Sequence, residues 1–294
     1  MMKWFILITS YALVLSSSSW MGLWLALELN TLSFTPILVK TDKEVSIKYF
    51  LVQSLGSVLF LSGILHPIME NCIIVGLLLK IGVAPLHLWI PSLSKFMQWS
   101  TLLFLLTLQK LGPLWGILML NYTSTNVITL SALIGSIGGI TQSNIRLLLA
   151  YSSITHLAWI FLCLSSASMV FSYFLIYCSM NLLLIFMLYF LELSSISQMW
   201  KPISFSSKMA LISSLLSMGG LPPLLGFMIK WMALESQMAS IMLVFVLILS
   251  SCFSLFFYIK IIMIPLLSHS SLPQSTSFPW VVVSIQWGLP FLLI

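Results

Sequence analysis

Apolar runs of about 20 residues follow one another along nearly the whole chain, separated by connections of only a few residues. A helix that crosses a bilayer needs roughly 20 mostly apolar residues, and inside it every backbone polar group must be paired within the segment. Runs of this kind lie at about 4–20, 21–39, 48–65, 73–92, 99–120, 126–144, 147–165, 170–192, 208–229, 238–266 and 279–294. Charged residues make up 6% of the chain and apolar ones 60%, whereas a soluble domain is about a quarter charged. Lipid is therefore the solvent. The sequence predicts one all-α polytopic membrane domain over residues 1–294, with about eleven transmembrane helices and no span left over for a soluble domain.

The few charges are not scattered evenly. Lys3, Lys40, Lys43, Lys48, Lys95, Arg146, Lys201 and Lys208 fall at connections on the N-terminal side, while the opposite connections carry Glu70 and Glu235, with Lys230 just before the latter. The positive-inside rule then places the N-terminus on the matrix or cytoplasmic side. With an odd number of helices, the C-terminus lies on the other. The net charge of +6 is thus a topology signal and not a nucleic-acid footprint. The N-terminus has neither an Arg-rich amphipathic stretch nor a cleavage site, so Met1 onward reads as mature.

Two of the runs are interrupted, at Lys80-Ile-Gly-Val-Ala-Pro85 and at Gly219-Gly-Leu-Pro-Pro223. Pro85, Pro222 and Pro223 lack the N–H that an α-helix needs at its interior, which frees the carbonyls of Ile81, Met218 and Gly219. Each interrupted run is the fourth of a five-helix block. Five is odd, so the second block is inverted relative to the first. Interrupted helices at matching places in two inverted halves point to a transport site.

Charges inside the runs carry the chemistry. A lysine at mid-bilayer costs roughly 2.5–3.5 kcal/mol on insertion scales, so Lys80 and Lys110 face the interior of the protein unless they snorkel to an interface. Burial disfavours the charged form of a lysine, which lets such a group gain and lose a proton. Glu28 is the one acid in the middle of a run, either the counter-charge of a buried lysine in a relay or half of a static ion pair. His87, seven positions after Lys80, would share its helix face. His156 and Ser152, four apart, share a face too; a histidine there links separate lysines or simply packs through hydrogen bonds. Lys230, at the end of the ninth run, either joins the relay or snorkels. Lys260 reads as an interfacial anchor. The cysteines (Cys72, Cys163, Cys178, Cys252) form no CxxC and no cluster with histidine, so neither zinc nor an iron–sulfur site is supported; no phosphate-binding glycine motif occurs.

At these residues the chain resembles NADH dehydrogenase subunit 2, the antiporter-like membrane subunit of respiratory complex I. The matching stretches are Trp24-Leu-Ala-Leu-Glu28-Leu-Asn30, Ile47-Lys-Tyr-Phe-Leu-Val-Gln53, Lys80-Ile-Gly-Val-Ala-Pro-Leu-His-Leu-Trp-Ile-Pro91, Leu106-Thr-Leu-Gln-Lys110, Arg146-Leu-Leu-Leu-Ala-Tyr-Ser-Ser-Ile-Thr-His156 and Gly219-Gly-Leu-Pro-Pro-Leu-Leu-Gly-Phe-Met-Ile-Lys-Trp231. The resemblance implies a proton relay of Glu28 paired with Lys80, Lys110 as the central carrier, His156 between, and Lys230 beside the exit. It implies the mitochondrial inner membrane as location, and other membrane-arm and accessory subunits of the complex, besides lipid, as partners. It also implies no redox cofactor on this chain: NAD, FMN, iron–sulfur clusters and ubiquinone belong to the parent complex. Three positions depart from the family pattern: Leu147 where a second basic residue is usual, Ser92 where an acid often follows, and a short C-terminal region. The alternatives are a free-standing cation/proton antiporter of the same fold and a scaffold without transport.

Overall fold

The computed structural model describes residues 2–66, 70–122, 124–235, 240–267, 270–271 and 278–293. Residues 238–239 and 294, at the edges of two expected helices, lie outside them. The described residues are almost entirely helical and divide into two compact units, Met1–Tyr122 and Thr123–Ile294. Six helical stretches among them are long and apolar enough to cross a membrane: Trp20–Leu38, Lys43–Leu65, Trp99–Leu120, Ile145–Ser165, Ala167–Phe190 and Ile241–Leu267.

The first unit contains α1 (Met2–Ser16), α2 (Trp20–Leu38), α3 (Lys43–Leu65), α4 (Glu70–Ile81), α5 (Trp89–Ser94), α6 (Trp99–Leu106) and α7 (Leu108–Leu120). Polar caps set several helix starts, as where Ser19 accepts from the Gly22 N–H and Asp42 from the Glu44 N–H. Lys3 donates to the Pro36 carbonyl at 3.2 Å, so the start of α1 and the end of α2 share one end of the unit. Helices α3 and α4 cross at glycines. A Cβ on Gly76 would meet the Gly56 carbonyl oxygen at 2.6 Å and the Phe60 nitrogen at 2.8 Å. Small residues let membrane helices approach this closely, where van der Waals packing replaces the missing hydrophobic drive.

The second unit contains α8 (Thr125–Ile140), α9 (Ile145–Leu162), α10 (Ala167–Phe190), α11 (Phe205–Gly219), α12 (Leu225–Glu235), α13 (Ile241–Leu267) and α14 (Phe278–Leu293). Helix α9 is buried on nearly its whole circumference, making it the axis of the unit. Backbone pairing ties the connection before α9 to the one after α10, with the Ile145 N–H on the Ser194 carbonyl and the Ile196 N–H on that of Ser143, and a two-residue parallel ladder joins β1 (Ile203–Ser204) to β2 (Ser270–Ser271).

The two interruptions share one backbone solution. At the first, the Gly82 N–H reaches the carbonyls of Leu78 and Leu79, and the Val83 N–H that of Leu78. At the second, the Gly220 N–H reaches Leu216 and Ser217, and the Leu221 N–H Leu216. This is the Schellman ending, with the glycine left-handed, at φ of 76° and 85° respectively. The helices thus stop at glycine, three residues before Pro85 and Pro223, and not because proline withdraws a bond. The prolines only forbid resumption. Gly82, Val83 and Ala84 are buried and Gly220 is half-buried, but Pro85, Pro222 and Pro223 are exposed, so both breaks leave their prolines outward and the first turns its glycine shoulder fully inward. Since α4 ends at Ile81, the seven-residue spacing from Lys80 to His87 no longer defines a helix face. His87 Nδ1 lies 3.3 Å from the Pro85 carbonyl instead.

The run over 99–120, read from sequence as continuous, is also divided, at Thr107 (φ −115°, ψ −86°). Thr107 bonds the Leu103 carbonyl through both its N–H, at 3.1 Å, and its Oγ1, at 2.6 Å. Such back-bonding bends helices, and Pro113 removes the next support by leaving Gln109 without its i+4 donor. Lys208, expected in a connection, is buried in the first turn of α11.

A left-handed Cβ costs about 1–2 kcal/mol, and on Gly220 it would also meet Lys230 Nζ at 2.9 Å, so Gly220→Ala is expected to lower unfolding stability by at least that amount. Gly219→Ala, whose Cβ would find only ordinary contacts at 3.6 Å, should stay within about 0.5 kcal/mol of the parent. Thermal unfolding of the two purified variants checks this.

Candidate functional site

In the first unit the ending of α4 projects Lys80 against α3 and α2. The Lys80 stem lies beside Gly56, where a Cβ would meet its Cγ at 2.8 Å. Its Nζ stands 3.7 Å from Glu28 Oε1 on α2, with the two side chains 1% and 23% exposed. Neither atom makes a hydrogen bond among the described residues, so Coulomb attraction alone joins them. At an effective dielectric near 20 that attraction is roughly 4 kcal/mol before the cost of desolvation. It changes steeply when either helix shifts.

Ending α4 at Ile81 frees carbonyls, and side chains from two elements cover them. Gln53 Nε2 donates to the Lys80 carbonyl at 3.2 Å, and Trp89 Nε1 to that of Leu79 at 3.0 Å. Lys110 is buried just inside the start of α7. Its neighbour Gln109 joins three helices: Tyr49 Oη on α3 donates to Gln109 Oε1 at 3.0 Å, and Gln109 Nε2 donates to Asn30 Oδ1 on α2 at 3.2 Å. The segment carrying Lys110 is thereby fixed to the two helices that flank the ion pair.

In the second unit Lys230 does not snorkel. It is 7% exposed, and its Nζ turns back to donate to the Gly219 carbonyl at 3.0 Å, one of the carbonyls the break releases. The face of Trp159 lies 5.9 Å from that Nζ. A cavity of about 330 Å³ opens beside Lys230, lined also by Trp159, Phe227, Ile248, Cys252 and Leu255 among others. On α9, one turn before Trp159, buried His156 has its Nδ1 3.0 Å from Tyr173 Oη on α10, with the Tyr177 ring 5.1 Å away.

Sequence relatives and folds agree with one another. Residues 67–256 match the family described as NADH:quinone oxidoreductase/Mrp antiporter, TM. NADH-ubiquinone oxidoreductase chain 2 of Artemia franciscana is 46% identical over 92% of this chain and 91% of its own length. The chain belongs to the chain 2 family of NADH-ubiquinone oxidoreductase. Its fold is that of a chain of respiratory complex I from Thermus thermophilus, with a TM-score of 0.82 at 22% identity, covering 97% of this chain and 74% of that one. A chain of the membrane-bound sulfane sulfur reductase, an archaeal respiratory membrane complex, superposes with a TM-score of 0.85 at 15% identity, covering 99% and 72% respectively.

Of the residues singled out by sequence in this chain 2 family member, the structure brings Glu28 and Lys80 together and seats Lys230 on the second break. Glu28, Lys80 and Lys110 belong to the first unit, His156 and Lys230 to the second. Lys260 is exposed on α13. Sequence reading passed over Tyr49, Gln53, Trp89, Gln109 and Tyr173. Four of these, Tyr49, Gln53, Trp89 and Gln109, lie inside the quoted motifs, and a polar side chain in an apolar run is itself the signal that a partner exists.

Because Tyr49 and Asn30 both act on Gln109, their substitutions should not be independent. Tyr49→Phe is expected to cost about 1–3 kcal/mol by stranding a buried acceptor. The pair Tyr49→Phe and Asn30→Ala should show a coupling above about 0.5 kcal/mol in a denaturation double-mutant cycle.

Proposed function

We propose that this chain is the proton-translocating subunit 2 of respiratory complex I in the mitochondrial inner membrane. In this reading protons move through a relay of Glu28, Lys80, Lys110, His156 and Lys230, coupled to electron transfer in other subunits. The observation that carries the reading is the Glu28–Lys80 pair at the end of a broken helix, with Lys80 Nζ and Glu28 Oε1 3.7 Å apart and neither of these two atoms hydrogen-bonded among the described residues. The two facing atoms are thus held by a distance-sensitive attraction, while the other Glu28 oxygen accepts from Thr31 Oγ1 at 3.5 Å. The relatives' names, which describe an NADH-ubiquinone oxidoreductase, supply the complex and the coupled reaction.

The chemistry on this chain is proton transfer alone. While Glu28 stays close, attraction keeps the proton on Lys80. When the pair separates, that support is lost and the proton passes along water toward Lys110, then to His156 and Lys230. Histidine suits the middle of such a path because it exchanges protons near neutrality. Lys230, bonded to the Gly219 carbonyl, stands at the exit. Redox chemistry, with NAD, FMN, iron–sulfur clusters and ubiquinone, resides in partner subunits, and this chain carries no cofactor. Its partners are the membrane-arm and accessory subunits and lipid, not nucleic acid.

The same reading gives eleven transmembrane passes in two inverted five-helix repeats. The identical Schellman endings at Gly82 and Gly220, each in the fourth run of its block, support it. The N-terminus and the Lys40–Lys48 connection face the matrix, and the C-terminus the intermembrane space.

Lys80→Met and Lys110→Met are expected to assemble yet lose most proton flux per electron in reconstituted vesicles, whereas Lys260→Met should differ little from the parent. Full flux from the Lys110→Met complex would leave the buried lysine a structural role. A purified chain that exchanges cations for protons without redox subunits would favour the free-standing antiporter.

A further inference from the structure

We propose that the cavity beside Lys230 binds a long-chain carboxylate drawn from the membrane, its headgroup on the lysine and its hydrocarbon chain along α13. The cavity, about 330 Å³, lies at the small end of the range of ligand sites, roughly 300–1,000 Å³, and so suits one hydrocarbon chain. Its walls are mainly apolar, with Trp159, Phe227, Ile248 and Leu255 among them, and Lys230 is the one charged side chain among the lining residues. A buried cation in such walls selects for an anion with an apolar body, since an unpaired charge is costly there.

Among the described residues, the helices around this point bring no carboxylate to it. Helices α9, α11 and α13 contain no Asp or Glu. The acid on α12, Glu235, is exposed and accepts from Trp231 Nε1 at 2.8 Å. An ammonium has three N–H donors, and the hydrogen bond to the Gly219 carbonyl uses one of them. The cavity also reaches the surface. Cys252, which lines it, is exposed, and α13 presents Met242, Phe245, Phe253 and Phe256 around it as exposed apolar side chains. A single-chain amphiphile approaching in the plane of the membrane meets first an apolar surface for its tail and then, inside, a donor for its carboxylate.

Occupancy would hold Lys230 in a charged pair and so slow proton passage. That consequence rests on the relay, whereas binding itself does not. The test is photocrosslinking of the assembled complex with a diazirine-bearing long-chain carboxylate, with adducts mapped by mass spectrometry. Adducts are expected on the α12 and α13 segments that line the cavity. A charge-assisted bond of about 1.5–3 kcal/mol means labelling about tenfold or more weaker with the matching long-chain alcohol, or in Lys230→Gln. Lys230→Arg should keep it. Cys252→Trp, which fills the cavity and leaves the cation in place, should abolish it, so the site is tested even if Lys230→Gln fails to assemble. Absent adducts, equal labelling by the alcohol, or undiminished labelling of Cys252→Trp would overturn the proposal. Because the readout is the adduct and not flux, failure of the relay would leave it standing.

Discussion

A helix that stops inside hydrocarbon leaves carbonyl groups without donors, and the rest of this structure is arranged around that constraint. An unsatisfied backbone group costs several kcal/mol in lipid, so each break must bring its own donors. The N–H groups of the Schellman turn serve the first carbonyls, and side chains serve others. At the first break these are an amide, Gln53, and an indole, Trp89. At the second the donor is the ammonium of Lys230. The same defect that ends the helix thereby fixes where a charge can sit within the membrane.

The first break has neutral donors on its carbonyls and so leaves its lysine unbonded. Lys80 is then available to Glu28 through space, 3.7 Å away. At the second break the lysine is itself the donor, so its proton and the shape of the broken helix depend on one another. Two backbone turns with the same hydrogen bonds therefore hold two lysines in different states of attachment. This difference suits a path in which one site responds to a neighbouring charge and another to local geometry.

Much of this was legible in the sequence because it follows from composition and local pattern. Apolar runs, Glu28, Lys80, Lys110 and both interruptions stand out in one dimension, since a charge or a Pro-Gly cluster in such a run has few explanations. The cause of each interruption did not. Proline attracts notice, but the backbone turns at Gly82 and Gly220, and glycine is too common in membrane helices to mark a helix end alone. The division at Thr107 was hidden because Thr-Leu-Gln-Lys is compatible with helix, and only the second bond from its side chain bends it. Contacts such as Tyr49 to Gln109, 60 positions apart, and His156 to Tyr173 depend on how helices rotate against their neighbours, which periodicity in runs apolar all round does not encode. Lys208 went unread as a buried residue because a lysine near a helix start is ordinarily solvated.

The relay depends most heavily on Glu28 and Lys80 acting as one unit. Proton flux per electron, measured in vesicles for Glu28→Gln, Lys80→Met and the double variant, addresses this directly. If the two side chains work through their mutual attraction, the double variant loses no more flux than the more severe single one. Losses that multiply, with the double variant falling by the product of the two single effects, would mean that Glu28 and Lys80 act independently and would contradict the account.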